Sequence, residues 1–273
     1  MEHTEYLAEM HKNLQEIQYH IGNSAQKFNG KRGRNFAENK NNITLLGVTK
    51  NVDISAMQQA FKLGITNFGE SKVQEFLPKY DFFGENKEEN KAKNAASKNA
   101  EESTEESTEE SLPSVPNWHI IGHLQTNKAK FVVGKTQLIH SVDSLRLAKE
   151  LDNRAKQLNI TVNILLQLNI ADEPTKYGIS TKNLQETLKQ LQDMPNISAQ
   201  GIMCIAPYTE QPENNRKYFK KMYEIFIDVS EKSLYNVSMR FLSMGMSGDY
   251  AVAIEEGANI VRIGTKLFGH RGK

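Results

Sequence analysis

Two widely separated features of this sequence carry chemistry. Lys50 closes the first apolar run, Ile43-Thr44-Leu45-Leu46-Gly47-Val48-Thr49-Lys50, and Arg262-Ile263-Gly264-Thr265 closes the last. A lysine amine attacks carbonyl groups once part of it is unprotonated, which burial against apolar neighbours or nearby positive charge brings about. Small residues such as Gly264 and Thr265 let backbone N–H groups approach an anion closely, and the threonine hydroxyl adds a further contact. Together they suit an aldehyde-bearing phosphate, held as an imine at one end and gripped as an anion at the other. Phe241-Leu242-Ser243-Met244-Gly245-Met246-Ser247 is a second loop of small residues, with a hydroxyl at Ser243. Ser247 reads as the N-cap of a helix whose N-terminus could point into the same region.

What must position these groups is a regular alternation of strand and helix patterns. A helix over 6–28 places Leu7, Met10, Leu14, Ile17 and Ile21 at spacings of three and four. Strands are predicted at 43–49, 65–68, 118–121, 138–141, 161–169, 198–205, 238–242 and 259–263. Helices are predicted at 54–63, 71–78, 126–133, 143–158, 181–193, 211–233 and 247–256. Asp53 and Asp143 read as caps of the helices that follow them, and Gly64 as a left-handed stop. Eight strands alternating with helices predict an α/β fold, a single (β/α)8 TIM-type barrel over 1–273 with an additional N-terminal helix. A doubly wound open sheet is the alternative, because strand order cannot be read from one sequence. Residues 84–111 contain no aromatic residue, leucine, isoleucine or valine and include a Glu-Glu-Ser-Thr repeat. They are expected to form a disordered acidic insertion in a surface loop, reaching to about residue 116.

In barrels of this kind ligands sit where strands hand over to helices, and phosphate sites follow the seventh and eighth strands. Both small-residue loops fall there. Closure makes the first and eighth strands neighbours, so Lys50 meets the Arg262–Thr265 run. The obvious ligand is pyridoxal 5′-phosphate. Arg262 lies two residues before Gly264, on the same face of its strand, and could reach the far side of a pyridine ring. A permanent cation beside the ring nitrogen disfavours its protonation and weakens the electron-sink character of the cofactor. The plainer reading of Arg262 is an ion pair with Glu255 or Glu256.

Bulk composition excludes other classes. With 34 Lys and Arg against 33 Asp and Glu, the net charge of +1 offers no field to attract nucleic acid or an anionic membrane. A single cysteine, Cys204, cannot form an internal disulfide. No apolar stretch approaches the roughly 20 residues needed to span a bilayer, and the N-terminus is polar and acidic. A cytoplasmic location is therefore expected. His119 and His123 stand four apart with no acidic third ligand nearby, which argues against zinc. No P-loop, GxGxxG or GxSxG stands at a strand–helix junction.

The chain resembles the pyridoxal phosphate homeostasis proteins, the YggS/PROSC family. The resemblance rests on Gly47-Val48-Thr49-Lys50, Asn67-Phe68-Gly69-Glu70 with Val73-Gln74-Glu75, and Trp118-His119-Ile120-Ile121-Gly122-His123-Leu124-Gln125-Thr126-Asn127-Lys128. It continues through His140-Ser141-Val142-Asp143, Gly201-Ile202-Met203, Leu242 to Ser247 and Val261-Arg262-Ile263-Gly264-Thr265 with Phe268-Gly269. It implies a barrel akin to the N-terminal domain of alanine racemase, with the cofactor as an aldimine on Lys50. Phosphate contacts would come from Ser243, Gly264 and Thr265, and Arg262 would face the pyridine nitrogen. Asn67 and Met244 complete the cofactor-binding set, with Asn67 lying beside the cofactor.

One departure is Gly69-Glu70-Ser71-Lys72, where the family usually has Gly-Glu-Asn-Tyr. The function implied is buffering or delivery of intracellular pyridoxal phosphate, to pyridoxal-phosphate-dependent apoenzymes, by a monomer without turnover. A racemase is the alternative; it needs a second proton donor on the opposite face of the substrate carbon. In alanine racemases that group comes from an added β-domain, for which the sequence after Gly264 is expected to be too short. An aldolase acting on a sugar phosphate leaves Arg262 without a partner.

Overall fold

The computed structural model describes residues 3–31, 43–86, 113–232 and 234–269. Helix α1 (His3–Lys31) buries Met10, Leu14 and Ile17 on one face. The chain then alternates through β1 (Thr44–Val48), α2 (Ile54–Lys62), β2 (Asn67–Glu70), α3 (Val73–Glu85) and β3 (Asn117–Ile120). A 3₁₀ segment (Thr126–Phe131) leads to β4 (Leu138–Val142), α4 (Leu145–Leu158) and β5 (Val162–Asn169). The two-residue β6 (Ile179–Ser180) precedes α5 (Leu184–Leu191), β7 (Ile197–Cys204) and α6 (Arg216–Ser230). The last units are β8 (Val237–Met246), α7 (Tyr250–Glu255), β9 (Ile260–Ile263) and α8 (Thr265–Phe268).

The strands run in the order β4-β3-β2-β1-β9-β8-β7-β5, all parallel, and β4 pairs with β5 to close the ring. An eight-stranded closed barrel results, with β6 attached as a short rung beside the end of β5. Closure leaves two buried layers, because side chains alternate along each strand. Leu46, Ile121, Leu138, Leu165, Met203 and Ile260 fill the barrel interior. The larger outer layer joins sheet to helices; in it Trp118 packs among Phe68, Phe76 and Phe83 with ring centroids 5.6–6.0 Å apart. Helix α1 covers the outside of α7 and α8, beside the last strand, as expected for an N-terminal addition.

All eight predicted strands are present, with shifted ends. β2 begins and ends two residues later than the apolar pattern suggests, and β8 continues to Met246 rather than stopping at Leu242. Asp53 does cap α2, accepting from the Ala56 N–H at 2.8 Å, and Gly64 has φ +90°. Ser144, not Asp143, caps α4. α7 starts after Asp249, so Ser247 is no N-cap. The predicted 126–133 helix is 3₁₀, and Pro78 lies inside α3 because burial of Phe76 and Phe83 continues the helix past it. The insertion expected over 84–116 lies mostly outside the described residues; Gly84 and Glu85 still belong to α3.

The end of β8 depends on Gly245, whose φ of +89° is in the region that side chains disfavour. A Cβ there would sit 2.6 Å from the Ala253 Cβ and 2.9 Å from the Tyr250 Cα. Gly245→Ala is therefore expected to lower stability by at least about 2 kcal/mol in urea unfolding, from strain and overpacking together.

Candidate functional site

Lys50 follows β1 on a turn held from several sides. The Thr49 N–H donates to the Gly69 carbonyl at 3.0 Å, and the Thr49 carbonyl accepts from Lys79 Nζ at 2.7 Å. Lys79 also pairs with the Glu70 carboxylate at 2.6 Å, and the Thr49 hydroxyl donates to the same Glu70 oxygen at 2.6 Å. On the far side of Lys50 the Asn51 N–H, on a residue at φ +55°, donates to Glu75 at 2.7 Å. Glu70 and Lys79 are both buried, so this clamp is an ion pair in a low-dielectric site that fixes the backbone around Lys50. The Lys50 side chain itself is exposed, because it stands on the turn beyond the strand.

The candidate anion cradle lies on the neighbouring strand. β1 and β9 pair with Gly47 opposite Ile263, so Lys50 and Gly264 leave the barrel at the same end from adjacent strands. The Gly264 and Lys266 N–H groups both donate to Ser247 Oγ, at 3.2 and 3.3 Å. Two backbone donors thus converge on one oxygen at the end of β9, a geometry that fits the oxygens of a phosphate. Thr265 lies between them in sequence. Ser247, which sequence patterning assigns to helix capping, instead accepts from these two N–H groups and joins the candidate cradle; its signal is its place in the same small-residue loop as Gly245.

Arg262 points into the barrel and is buried. Its Nη1 donates to Ser243 Oγ at 2.6 Å and its Nη2 to the Cys204 carbonyl at 2.8 Å. It does not pair with Glu255 or Glu256; Arg216 of α6 takes both, at 2.7 and 2.9 Å. Ser243 is not a rim residue. Because β8 runs on past it, its hydroxyl lies inside the barrel, between Arg262 and His140 Nδ1 at 3.0 Å. His140 Nε2 lies 3.0 Å from His119 Nδ1, and His119 Nε2 lies 3.2 Å from Asn67 Oδ1. Asn67 begins β2 opposite Leu46, at the other end of the strand from Lys50, so it is not beside the Lys50 amine. Met244 alternates outward from Ser243 and buries its side chain in the outer layer, not toward the mouth.

Burial governs the titration of these interior groups. It pushes His119 down to about 4 and His140 well below the ordinary histidine value, with His119 and Arg262 adding to the second shift. It also lowers the Arg262 value and raises the Cys204 thiol to about 12. At the rim, His123 Nδ1 lies 2.6 Å from the Asp143 carboxylate and its ring stacks on Tyr177 at 3.8 Å. Among the described residues no cluster of histidine, cysteine and carboxylates could hold a metal ion, and no helix is long and apolar enough to cross a membrane.

The family model for the alanine racemase N-terminal domain matches residues 6–272. A pyridoxal phosphate homeostasis protein of Aquifex aeolicus is 40% identical over 88% of this chain and 90% of its own length. The chain belongs to the pyridoxal phosphate homeostasis protein family. A second member, from Synechocystis, is 34% identical over 84% of this chain and 92% of its own. The solved structure of PipY from Synechococcus elongatus with PLP bound superimposes with a TM-score of 0.68 at 28% identity, covering 91% of this chain and all of that one.

Two outcomes test the site's construction. Lys79→Met strands the buried Glu70 carboxylate and should cost about 3–5 kcal/mol in chemical denaturation, much of which Glu70→Gln in the same chain should restore. Acid should also weaken the fold before carboxylates titrate. The unfolded chain takes up protons at its histidines near 6.5, whereas folded His119 resists until about 4. Between those values the unfolded state binds more protons, so stability is complete above pH 6.5 and declines as pH falls. The urea midpoint should drop between pH 7.5 and 5, and the drop should shrink in a His119→Gln, His140→Gln double variant.

Proposed function

We propose that this chain binds pyridoxal 5′-phosphate at the barrel mouth and acts in intracellular pyridoxal phosphate homeostasis, buffering the cofactor or delivering it. The amine of Lys50 provides the covalent attachment. Gly264, Thr265 and Ser247 hold the phosphate, and Arg262, fixed by Ser243, presents a cation to the ring from below. The observation that carries this reading is the convergence of the Gly264 and Lys266 N–H groups on one oxygen, on the strand that pairs with the Lys50 strand. The cofactor supplies an electron-accepting ring conjugated to an aldehyde. Family membership supports the same ligand, since PipY is described with PLP bound.

On this reading the protein is a carrier rather than an enzyme, working as a cytoplasmic monomer that passes its ligand to pyridoxal-phosphate-dependent apoenzymes. The closed ring of strands supports the monomer, since it leaves no open sheet edge. An amino-acid racemase is the second reading. It would need a second proton-transfer group, and His123, held by Asp143 at the same end of the barrel, is the residue that could serve.

Protein incubated with pyridoxal phosphate should turn yellow, and borohydride should fix the cofactor to the peptide containing Lys50. Lys50→Ala should abolish that attachment, and Ser247→Ala should weaken binding about tenfold through loss of a phosphate contact. Sustained conversion of L-alanine or another amino acid to its D-form would replace the carrier with the racemase.

A further inference from the structure

Arg262 is a buried guanidinium that forms no ion pair among the described residues; its acceptors are the neutral Ser243 hydroxyl and the Cys204 carbonyl. The nearby carboxylate of Asp249 is engaged by Asn215 at 2.8 Å and by the Met246 N–H at 2.7 Å. A buried charge without an ionic partner is costly, and its retention points to use. Something neutral must therefore hold it in place.

One arrangement of protons gives every donor in this interior chain a partner. Guanidinium only donates, so Ser243 Oγ accepts from Arg262, and in that arrangement its own O–H finds its acceptor in His140 Nδ1. His140 then carries its proton on Nε2 and gives it to His119 Nδ1. His119 in turn carries its proton on Nε2 and gives it to Asn67 Oδ1. In the same arrangement the Asn67 oxygen also accepts from Asn117 at 3.3 Å, while Asn67 Nδ2 donates to Thr66 Oγ1 at 3.2 Å. Every dipole in the chain turns its negative end toward Arg262. Histidines that stay neutral well below pH 7 are what such a chain requires.

We propose that Asn67, His119, His140 and Ser243 form a one-way hydrogen-bonded chain that sets Arg262 as a fixed, unpaired cation beneath the ligand. His140 acts as a positioning residue through Ser243, and Asn67 at the far end of the barrel fixes the direction. The assignment of a ligand above Arg262 rests on the proposed pyridoxal phosphate site; the proton arrangement does not.

Long-range 1H–15N spectra of the isolated, labelled protein read the tautomers directly. Both histidines should show a protonated Nε2 and an unprotonated Nδ1 from pH 8 to 6. Protonated Nδ1 on His140, or a charged ring in that range, overturns the chain. Titration with pyridoxal phosphate then tests its effect on the site. His140→Leu should bind about tenfold more weakly than wild type, and His140→Asn, whose amide oxygen can still accept from Ser243, should recover most of the loss. Unchanged binding in His140→Leu, or no recovery in a folded His140→Asn, overturns the positioning role. Should wild type bind no pyridoxal phosphate, the ligand assignment and this positioning role both fail, while the spectra still decide the proton order. If His140→Leu does not fold, the His140→Asn comparison and the wild-type spectra decide between the outcomes.

Discussion

The pairing of β1 with β9 is the interaction on which the rest depends. It joins Thr44 to Ile260 and Gly47 to Ile263, residues that are more than two hundred positions apart in the chain. Parallel strands cannot be linked by a tight turn, and here all the intervening strand–helix units connect the two. It converts a row of strand–helix units into a ring. The ring gives the molecule an inside, and the inside is where Arg262, His140 and Ser243 meet. The same pairing sets the Lys50 turn beside the Gly264 loop, which no local feature of either segment could do.

Around that contact the structure divides its polar groups by depth. At the mouth Lys50 stands exposed on its turn, and the half-buried Ser247 hydroxyl lies at the same end. The deeper ones form two sets: the Glu70–Lys79 clamp outside the strands, in which one Glu70 carboxylate oxygen is left without a hydrogen bond, and the Asn67-to-Arg262 chain inside them. The clamp grips Thr49, the residue before Lys50, through both its backbone carbonyl and its hydroxyl. The amine is therefore carried on a rigid base although its own side chain reaches into solvent. Stiff support beneath an exposed amine keeps its reach constant.

Much of the architecture was legible because a parallel strand covered on both faces leaves a strong apolar signature. Val162–Asn169 and Ile260–Ile263 are instances, and counting such runs led to eight strands. Strand ends were less legible, and the placement of the candidate residues depends on them. β2 starts two residues later than its apolar pattern suggests, so Asn67, which the family resemblance sets beside the cofactor, stands at the start of its strand; β8 runs past Leu242, so Ser243 lies inside the barrel and Ser247 falls short of the helix. Lys50, Gly264 and Arg262 stand out as candidates because each lies at or near the end of an unmistakable apolar run. Lys79 and His140 do not, since their roles depend on neighbours across the barrel that only strand order reveals. The two-residue β6 carries no periodic signal at all.

Cys204 gives its carbonyl to Arg262 while its thiol lies buried, with its acidity suppressed to about 12. Alkylating reagents act on thiolate, so the folded molecule presents them with no reactive sulfur. Labelling then requires the interior to open, and the chain has no other cysteine to obscure the signal. The molecule thus carries a chemical clock for its own opening, set on the very strand that anchors the guanidinium.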